Sequence, residues 1–453
     1  MAVLPRGIDG LFMRRAPSAA GFRYLVEAGS PDEAWARAFL PASALLRYRL
    51  RGALGPSPTT PEILAASDVG LVMARAGIAH LLLTLSRTQA MQAWARLQRV
   101  TLLAPAPAHR VLEDKLWFHR FMRREGIPQP AGGAVDIARA RRLDWRRRQV
   151  LQDPGSCGGE GTWFPEGPAD IDALVAAGAL LPGARYLARR FIDGRPYGIT
   201  VLVAPGRVAL SALRLQCYFP ARDGVREFAG LQWTPTAAFA PATLARIEQV
   251  MLRLGRALHR RRFLGFANID FMLDGDGQVF VLECNPRMSA SSPHVFRHPE
   301  LLGGASAGAA AGAEAGFDPA ELLLAGFARR QAWPARAVAH GISASTFEGA
   351  TLDVLAGQLA SAVCPERTRA APGSGVVTLP LERPWRASRP DPDPLTLGPG
   401  RAFVYFPRPA GVELAPETVL ANIIADARLF DDEGDLLAAG RALFDRLGAE
   451  TCH

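Results

Sequence analysis

The spacing of apolar positions changes period several times along the chain, and each change marks an element. Pro61 to about Leu85 carries apolar residues at helical spacing and predicts a helix; Thr101–Ala104 is a short apolar run closed by Ala-Pro-Ala-Pro and predicts a strand. From Val111 to Glu125 apolar residues at 112, 116, 118 and 121–122 return to a helical period, with Gly126 placed as a stop. Gln149–Gln152 reads as a short strand. Tyr186–Ile192 and Tyr197–Val203 alternate as strands about the turn Asp193-Gly194, Ala242–Arg261 is helical, and strands follow at Phe266–Leu273 and Gln278–Asn285. Beyond these, Pro319–Arg329 predicts a helix, Ala/Gly-rich 303–316 a loose loop, and Pro384 to Pro399 a Pro-rich connection before a helix-rich end from Pro416. The mixture is that of an α/β (α+β) protein.

Composition narrows the class without changing that picture. At ~150 residues per domain, 453 residues give about three domains, and 49% apolar with 21% charged residues excludes disorder, collagen-like repeats and a disulfide miniprotein. No run approaches the ~18 apolar residues of a membrane span, because Arg75 and His80 interrupt Gly70–Leu85 and Glu314 interrupts the tract after Leu302. Near the first residue, Arg6, Arg14 and Arg15 flank nothing more apolar than Leu11–Met13, so no secretory leader is expected and a cytoplasmic location is. Five scattered cysteines predict reduced thiols and no zinc site. The net charge of +9 invites a nucleic-acid partner, yet 51 of the 52 basic residues are Arg, which looks like coding bias. The dense patch Arg139 to Arg148 holds six Arg but a single aromatic, Trp145, where single-strand binding needs stacking platforms; a solvated loop is the better reading. The lone lysine, Lys115, marks a position that wants a compact ammonium on a flexible stem.

Candidate chemistry concentrates in Asn268-Ile-Asp270-Phe-Met-Leu-Asp-Gly-Asp-Gly-Gln-Val-Phe-Val-Leu-Glu283-Cys-Asn285-Pro-Arg287. Asp276-Gly277 between apolar runs signals a two-residue hairpin turn. That turn sets Asp270 opposite Glu283 and Asn268 opposite Asn285 on one face, with Ile269, Phe271, Leu273, Phe280 and Leu282 on the other. Like charges directly opposite destabilise a sheet. A hard cation would resolve the conflict, since two carboxylates and an amide oxygen beside phosphate oxygens make a magnesium site. A solvated polar face with mildly repelling acids is the plain alternative.

This segment resembles the metal-binding hairpin of the ATP-grasp superfamily. Further segments recur in the expected order: Glu113-Asp114-Lys115 opening a helix, Glu125-Gly126-Ile127-Pro128-Gln-Pro130, a Gly-rich loop Asp153–Gly161, Phe191-Ile-Asp-Gly194, and Gly316-Phe-Asp-Pro-Ala-Glu-Leu. The resemblance spans about 105–330. It implies an ATP-grasp fold, two α+β subdomains (105–185 and 186–335) clasping ATP, with an N-terminal α/β domain (1–104) and a C-terminal α+β extension (336–453). It also implies ATP and magnesium or manganese as cofactors. Asp270, Glu283 and Asn285 become metal ligands; Lys115, Gln152, Gly155, Gly158, Gly159, Gly161, Arg190, Phe191, Ile192 and Asp193 the nucleotide site; and Arg287 the catalytic arginine. The implied activity is an ADP-forming ligase that couples a small carboxylic acid to an amine through an acyl-phosphate, with a phosphotransferase, a carboxylase or an inactive nucleotide-binding subunit as alternatives. A homodimer is compatible with this, and Ser289, Ser291, Ser292 and His294 are expected to face the acceptor. Two departures stand out: Gln152 replaces a second lysine, and Arg189, Arg190 and Pro196 replace acids around the hinge strand.

Overall fold

The computed structural model describes residues 2–4, 23–30, 33, 36–37, 42–52, 54, 59–83, 87–156, 161–219, 228–303, 326–327, 332–355, 368–369, 376–380, 401–405, 413–414 and 419–443. The expected loop 304–316, the 316–322 motif, the helix Pro319–Arg329 apart from 326–327, and the 384–399 connection lie outside the described residues.

Strands β1 (Ala2–Leu4), β2 (Arg23–Glu27), β3 (Leu45–Tyr48), β4 (His80–Leu83) and β5 (Thr101–Leu103) form a parallel sheet in the order β3-β2-β1-β4-β5. Its inner strands carry short continuous apolar runs, Tyr24-Leu25-Val26 and Leu81-Leu82-Leu83, as parallel strands buried on both faces require. Helices α1 (Thr60–Ala66), α2 (Val69–Arg75) and α3 (Gln89–Gln98) pack Ile63, Leu64, Met73 and Met91 against Leu25, Leu81 and Leu83. The single helix expected over 61–85 is therefore two short helices and a strand. Tertiary pairing breaks it: Arg49 N–H donates to the Asp68 carboxylate at 2.7 Å, Asp68 N–H to the Arg49 carbonyl at 3.1 Å, and His80–Leu83 is too short a run for periodicity to separate strand from helix.

A second, antiparallel sheet has the order β6-β9-β7-β8, from β6 (Gly132–Val135), β7 (Gln149–Gln152), β8 (Thr162–Trp163) and β9 (Tyr186–Arg190). Helix α4 (Lys115–Arg124) precedes it, starting after Asp114, whose carboxylate caps Trp117 N–H at 2.7 Å; the helix expected from Val111 thus begins later, after a 3-10 turn over Pro107–Leu112. Helices α5 (Ile137–Ala140) and α6 (Pro168–Ala176) complete a small core of Val135, Ala140, Leu151, Ile171 and Tyr186.

The third sheet is the largest. Strands β10 (Gly194–Ala204), β11 (Arg207–Leu210), β12 (Leu213–Tyr218), β13 (Phe228–Thr234), β14 (Gly265–Asp274), β15 (Val279–Asn285), β16 (Val338–His340) and β17 (Ala350–Leu355) belong to it. After a separate pair, β18 (Thr368–Arg369) with β21 (Glu413–Leu414), the sheet is extended by β19 (Val376–Pro380), β20 (Arg401–Tyr405) and β22 (Val419–Ala425). The path across it is β15-β14-β10-β12-β13-β17-β22-β20-β19. The helix-rich end expected from Pro416 is corrected by β22: Leu420, Ile423 and Ile424 are buried in a strand paired on both sides, and a continuous apolar run of this length reads equally as helix or central strand.

On one face of this sheet lie α4 and α7 (Pro241–Arg260). Phe118, Phe121 and Met122 with Ile247, Met251, Leu254 and Leu258 cover Ile199, Val201, Ile269, Phe271 and Val281. The opposite face of β10, β12, β14 and β15 stays partly open, between the second and third sheets. The strands expected about Asp193-Gly194 do not pair as a hairpin: β9 belongs to the second sheet and β10 to the third, and 191–193 carries the chain between them.

Candidate active site

The β14–β15 hairpin pairs Asp270 with Glu283 and Asn268 with Asn285, as expected, but by a different route. The turn is not the two-residue Asp276-Gly277. Gly277 N–H donates to the Asp274 carbonyl at 3.0 Å, Asp274 N–H to the Gln278 carbonyl at 3.1 Å, and Gly277 takes φ +68°, which makes a three-residue loop ending in a left-handed glycine. This slips the register by one near the turn, where Leu273 faces Val279 and Phe271 faces Val281. A bulge at Leu282 slips it back. Phe280 and Leu282 consequently leave the core face assigned to them; Val279 and Val281 are buried there instead, while Leu282, Glu283 and Asn285 all line the open side.

That side is a cavity of about 760 Å3, within the ~300–1,000 Å3 typical of small-molecule sites. Of the residues expected to meet a nucleotide, Lys115, Gln152, Arg190, Phe191, Ile192 and Asp193 line it, as do Asp270, Glu283, Asn285 and Arg287. Gly155 and Gly161 flank the loop mouth, where Asp153 N–H donates to the Gly161 carbonyl at 2.8 Å and Gly155 N–H to the Asp153 carboxylate at 2.7 Å. Gly158 and Gly159 lie outside the described residues. Lys115, at the first turn of α4, is 4% exposed; its Nζ donates to the Ser156 carbonyl and stands 3.5 Å from Glu283 Oε2. Arg287 is a third exposed, with Nε 3.8 Å from Glu113 Oε1. Among the four polar residues expected to face the acceptor, Ser289 lines the cavity. Ser291, Ser292 and His294 are buried, because the chain turns at once into the short helix α8 (Ser292–Arg297), which packs inward.

Two residues that sequence reasoning did not place in the site are buried cations. Arg189 on β9 donates from Nη1 to the carbonyl of the bulged Leu282 at 2.9 Å and from Nη2 to Gln152 Oε1. Arg214 on β12 donates to Thr200 Oγ1 and to Asn268 Oδ1, each at 3.1 Å. Both line the cavity, and burial lowers both to about 10, with Glu283 supporting the charge of Arg189 and Asp270 that of Arg214; they remain ionised at neutral pH. The signal for Arg214 was the alternation Arg214, Gln216, Tyr218 within an apolar strand; Arg189 stood out only as a departure from the acids expected around the hinge strand. Asn268, by contrast, is consumed by the protein: its Oδ1 also accepts from Thr200 Oγ1 at 2.7 Å, and its Nδ2 donates to the Arg287 carbonyl at 2.5 Å.

The lining is charged in a definite pattern. Six cations (Lys115, Arg148, Arg189, Arg190, Arg214, Arg287) surround three acids (Asp193, Asp270, Glu283), a balance suited to anionic ligands. Burial pushes the Asp270 carboxyl well above the usual range, and the facing Glu283 charge pushes it further, against the pull of Arg214 and Arg287. Asn285 Nδ2 stands 3.4 Å from both carboxylates, and rotation of the amide would present its oxygen to the same point. Two crowded carboxylates and an amide are a donor set that fits a hard divalent cation. Toward the hinge the cavity turns apolar: Phe191 meets Phe164 edge-on at 6.2 Å and lies under the Arg148 guanidinium at 3.9 Å, with Ile192, Met272 and Leu282 beside them.

Comparison with known proteins matches this arrangement. The ATP-grasp domain family matches residues 112–291. No curated protein matches the chain in sequence. Among solved structures, the biotin carboxylase domain of Hydrogenobacter thermophilus 2-oxoglutarate carboxylase, in complex with MgADP, ADP and bicarbonate, is similar over 94% of this chain and 85% of its own, at TM-score 0.60 and 15% identity. Campylobacter jejuni biotin carboxylase gives TM-score 0.60 and 14% identity over 94% and 86%. N5-carboxyaminoimidazole synthase from Aspergillus clavatus, in complex with ADP and 5-aminoimidazole ribonucleotide, gives TM-score 0.57 and 13% identity over 99% and 98%. The hairpin, the hinge between two sheets and the family match agree: residues 112–291 match the ATP-grasp domain family, and the fold is that of ATP-grasp enzymes.

Proposed function

We propose that the protein uses ATP to activate a carboxylic acid and couples it to an amine, releasing ADP and phosphate. The observation that carries this reading is the Asp270–Glu283 pair on the cavity floor, flanked by Lys115 on one side and Arg287 on the other. In this reading the halves 105–185 and 186–335 clasp the nucleotide, and the assembly is a homodimer, a state printed for the Hydrogenobacter relative.

The apolar hinge end receives the adenine, with Phe191 and Ile192 as its walls, Arg190 and Asp193 at its rim and Gln152 with Arg189 deeper along the phosphates. Lys115 meets phosphate as a point charge, beside the Ser156 carbonyl and the flanking Gly155 and Gly161. Magnesium or manganese, when held by Asp270, Glu283 and Asn285, supplies charge neutralisation for the phosphates. A carboxylate oxygen of the acid then attacks the γ-phosphorus, the bond to the bridging oxygen breaks, and ADP leaves. The amine attacks the acyl carbon, phosphate departs with the former carboxylate oxygen, and the amine loses a proton. Arg287, released from its loose 3.8 Å contact with Glu113, hydrogen-bonds the acyl oxygen as charge gathers there.

A second reading takes bicarbonate as the acid and yields a carbamate. Its support is the likeness to N5-carboxyaminoimidazole synthase over nearly the whole of both chains. ADP release is measured with and without each acid, with hydroxylamine as a general amine that traps acyl-phosphates. Acid-dependent release is expected, abolished in Glu283→Gln with the fold intact because the cation site loses a charged ligand. ATP binding without acid-dependent release would instead make this a nucleotide-binding subunit, and wild-type rates in Glu283→Gln would remove that acid from the reaction.

A further inference from the structure

Arg214, Gln216 and Tyr218 occupy alternate positions on β12 and line the cavity, while Leu215 and Cys217 between them are buried on the core face. Opposite them on β13 stand Trp233, Leu231 and Phe228. These three rungs open progressively. Arg214 and Trp233 are 3% and 1% exposed, and the guanidinium lies 5.7 Å from the indole centre; Tyr218 and Phe228 are half-buried and meet edge-on at 6.0 Å. The Tyr218 hydroxyl donates to Gln216 Oε1 at 3.0 Å. The result is a trough floored by the two strands, with a cation at its closed end, hydrogen-bonding groups along β12, and Leu231 and Phe228 beside them on β13.

The closed end reaches the acid row by way of a missing side chain. Gly198 on β10 pairs with Arg214 on one side and Asp270 on the other, so the row across four strands reads Arg214, Gly198, Asp270, Glu283. A methyl on Gly198 would sit 3.0 Å from Arg214 Nε and 3.3 Å from its Cζ. The bare position lets the guanidinium lie across β10 toward the carboxylates. Its bonds to Thr200 and Asn268 use two of its five donors and fix its plane.

We propose that Arg214 holds the carboxylate of the acid substrate and that the β12–β13 trough holds its body, so that the acid is an aromatic carboxylate with a polar ring substituent. This rests on the acid-activating reading above. The four residue steps from Arg214 to Tyr218 at ~3.4 Å span about 14 Å, which leaves room for a one- or two-ring acid. A flat ring gains most lying over Leu231 and Phe228, and the Gln216 amide beside the Tyr218 hydroxyl meets the polar substituent. Bicarbonate has no body to fill such a trough.

ADP release by the full chain, with ATP, magnesium and hydroxylamine, is compared for 4-hydroxyphenylacetate, indole-3-acetate, acetate and bicarbonate. The two aromatic acids are expected to have KM values at least about tenfold below the others. Arg214→Met is expected to raise the aromatic-acid KM on the order of thirty-fold while the ATP KM stays within twofold, which also reports an intact fold. Gly198→Ala keeps the charge but displaces the guanidinium, and should raise the acid KM by a smaller factor. Acetate or bicarbonate serving as well as the aromatic acids, or an unchanged acid KM in Arg214→Met, would overturn the assignment and leave the ligase reading standing. No release with any acid in the wild type overturns that reading, and this one with it.

Discussion

His294 is a fully buried imidazole whose Nε2 lies 3.1 Å from the Ala350 carbonyl and whose Nδ1 lies 3.8 Å from Asp426. Burial pushes its pKa down to about 3; the Arg297 and His298 charges add to the shift and Asp426 opposes it. An unfolded histidine titrates near ~6.5, so between that pH and about 3 the unfolded chain binds a proton that the folded chain refuses. Stability is therefore complete above ~6.5 and falls as the pH drops through that window, by up to ~1.4 kcal/mol per pH unit. Asp426 acts in the same sense further down. Burial pushes it up, yet hydrogen bonds from His298 and Arg297 bring it to about 2, and its contribution is lost as the pH falls from ~3.8. His294→Gln, which preserves a donor to Ala350, is expected to flatten the fall in Tm between pH 6.5 and 5. An unaltered slope would assign that pH dependence to another group.

At the scale of elements, the β14–β15 hairpin depends on two irregularities that cancel. The three-residue turn displaces the pairing by one, and the Leu282 bulge restores it just before Glu283. Arg189, from another sheet, holds the carbonyl of that extra residue. Arg189→Met is expected to raise the magnesium concentration needed for half-maximal turnover by about tenfold or more, because the Glu283 carboxylate is no longer held in place. A lower Tm with unchanged metal dependence would show Arg189 to be structural alone. The facing of Asp270 and Glu283 was legible in the sequence because the two slips sum to the register of a simpler turn. The inward side chains were not, since Val279-Phe280-Val281-Leu282 carries no alternation to mark a bulge. Lys115 was legible by its uniqueness. The contacts of Arg189 and Arg214 were not, because their partners come from strands distant in sequence, and β22 escaped because a buried central strand lacks the period that identifies a half-exposed one.

Over the whole molecule, the third sheet joins the acid hairpin at one edge to the late strands at the other, and Arg297 of α8, paired with Asp426 just after β22, fastens the segment following the hairpin to that far side. The second sheet is attached differently. Its strand β9 continues through 191–193 into β10, and those connecting residues also line the apolar end of the cavity. A ligand seated there would touch the connection between the two sheets, and Arg189 carries that contact on to Leu282, next to Glu283. Under the proposed function, nucleotide is therefore expected to arrive first, and the acid to meet a finished site only afterwards. In initial-rate measurements an inhibitor competitive with the acid is then expected to be uncompetitive toward ATP, whereas a noncompetitive pattern would mean that either substrate can enter first.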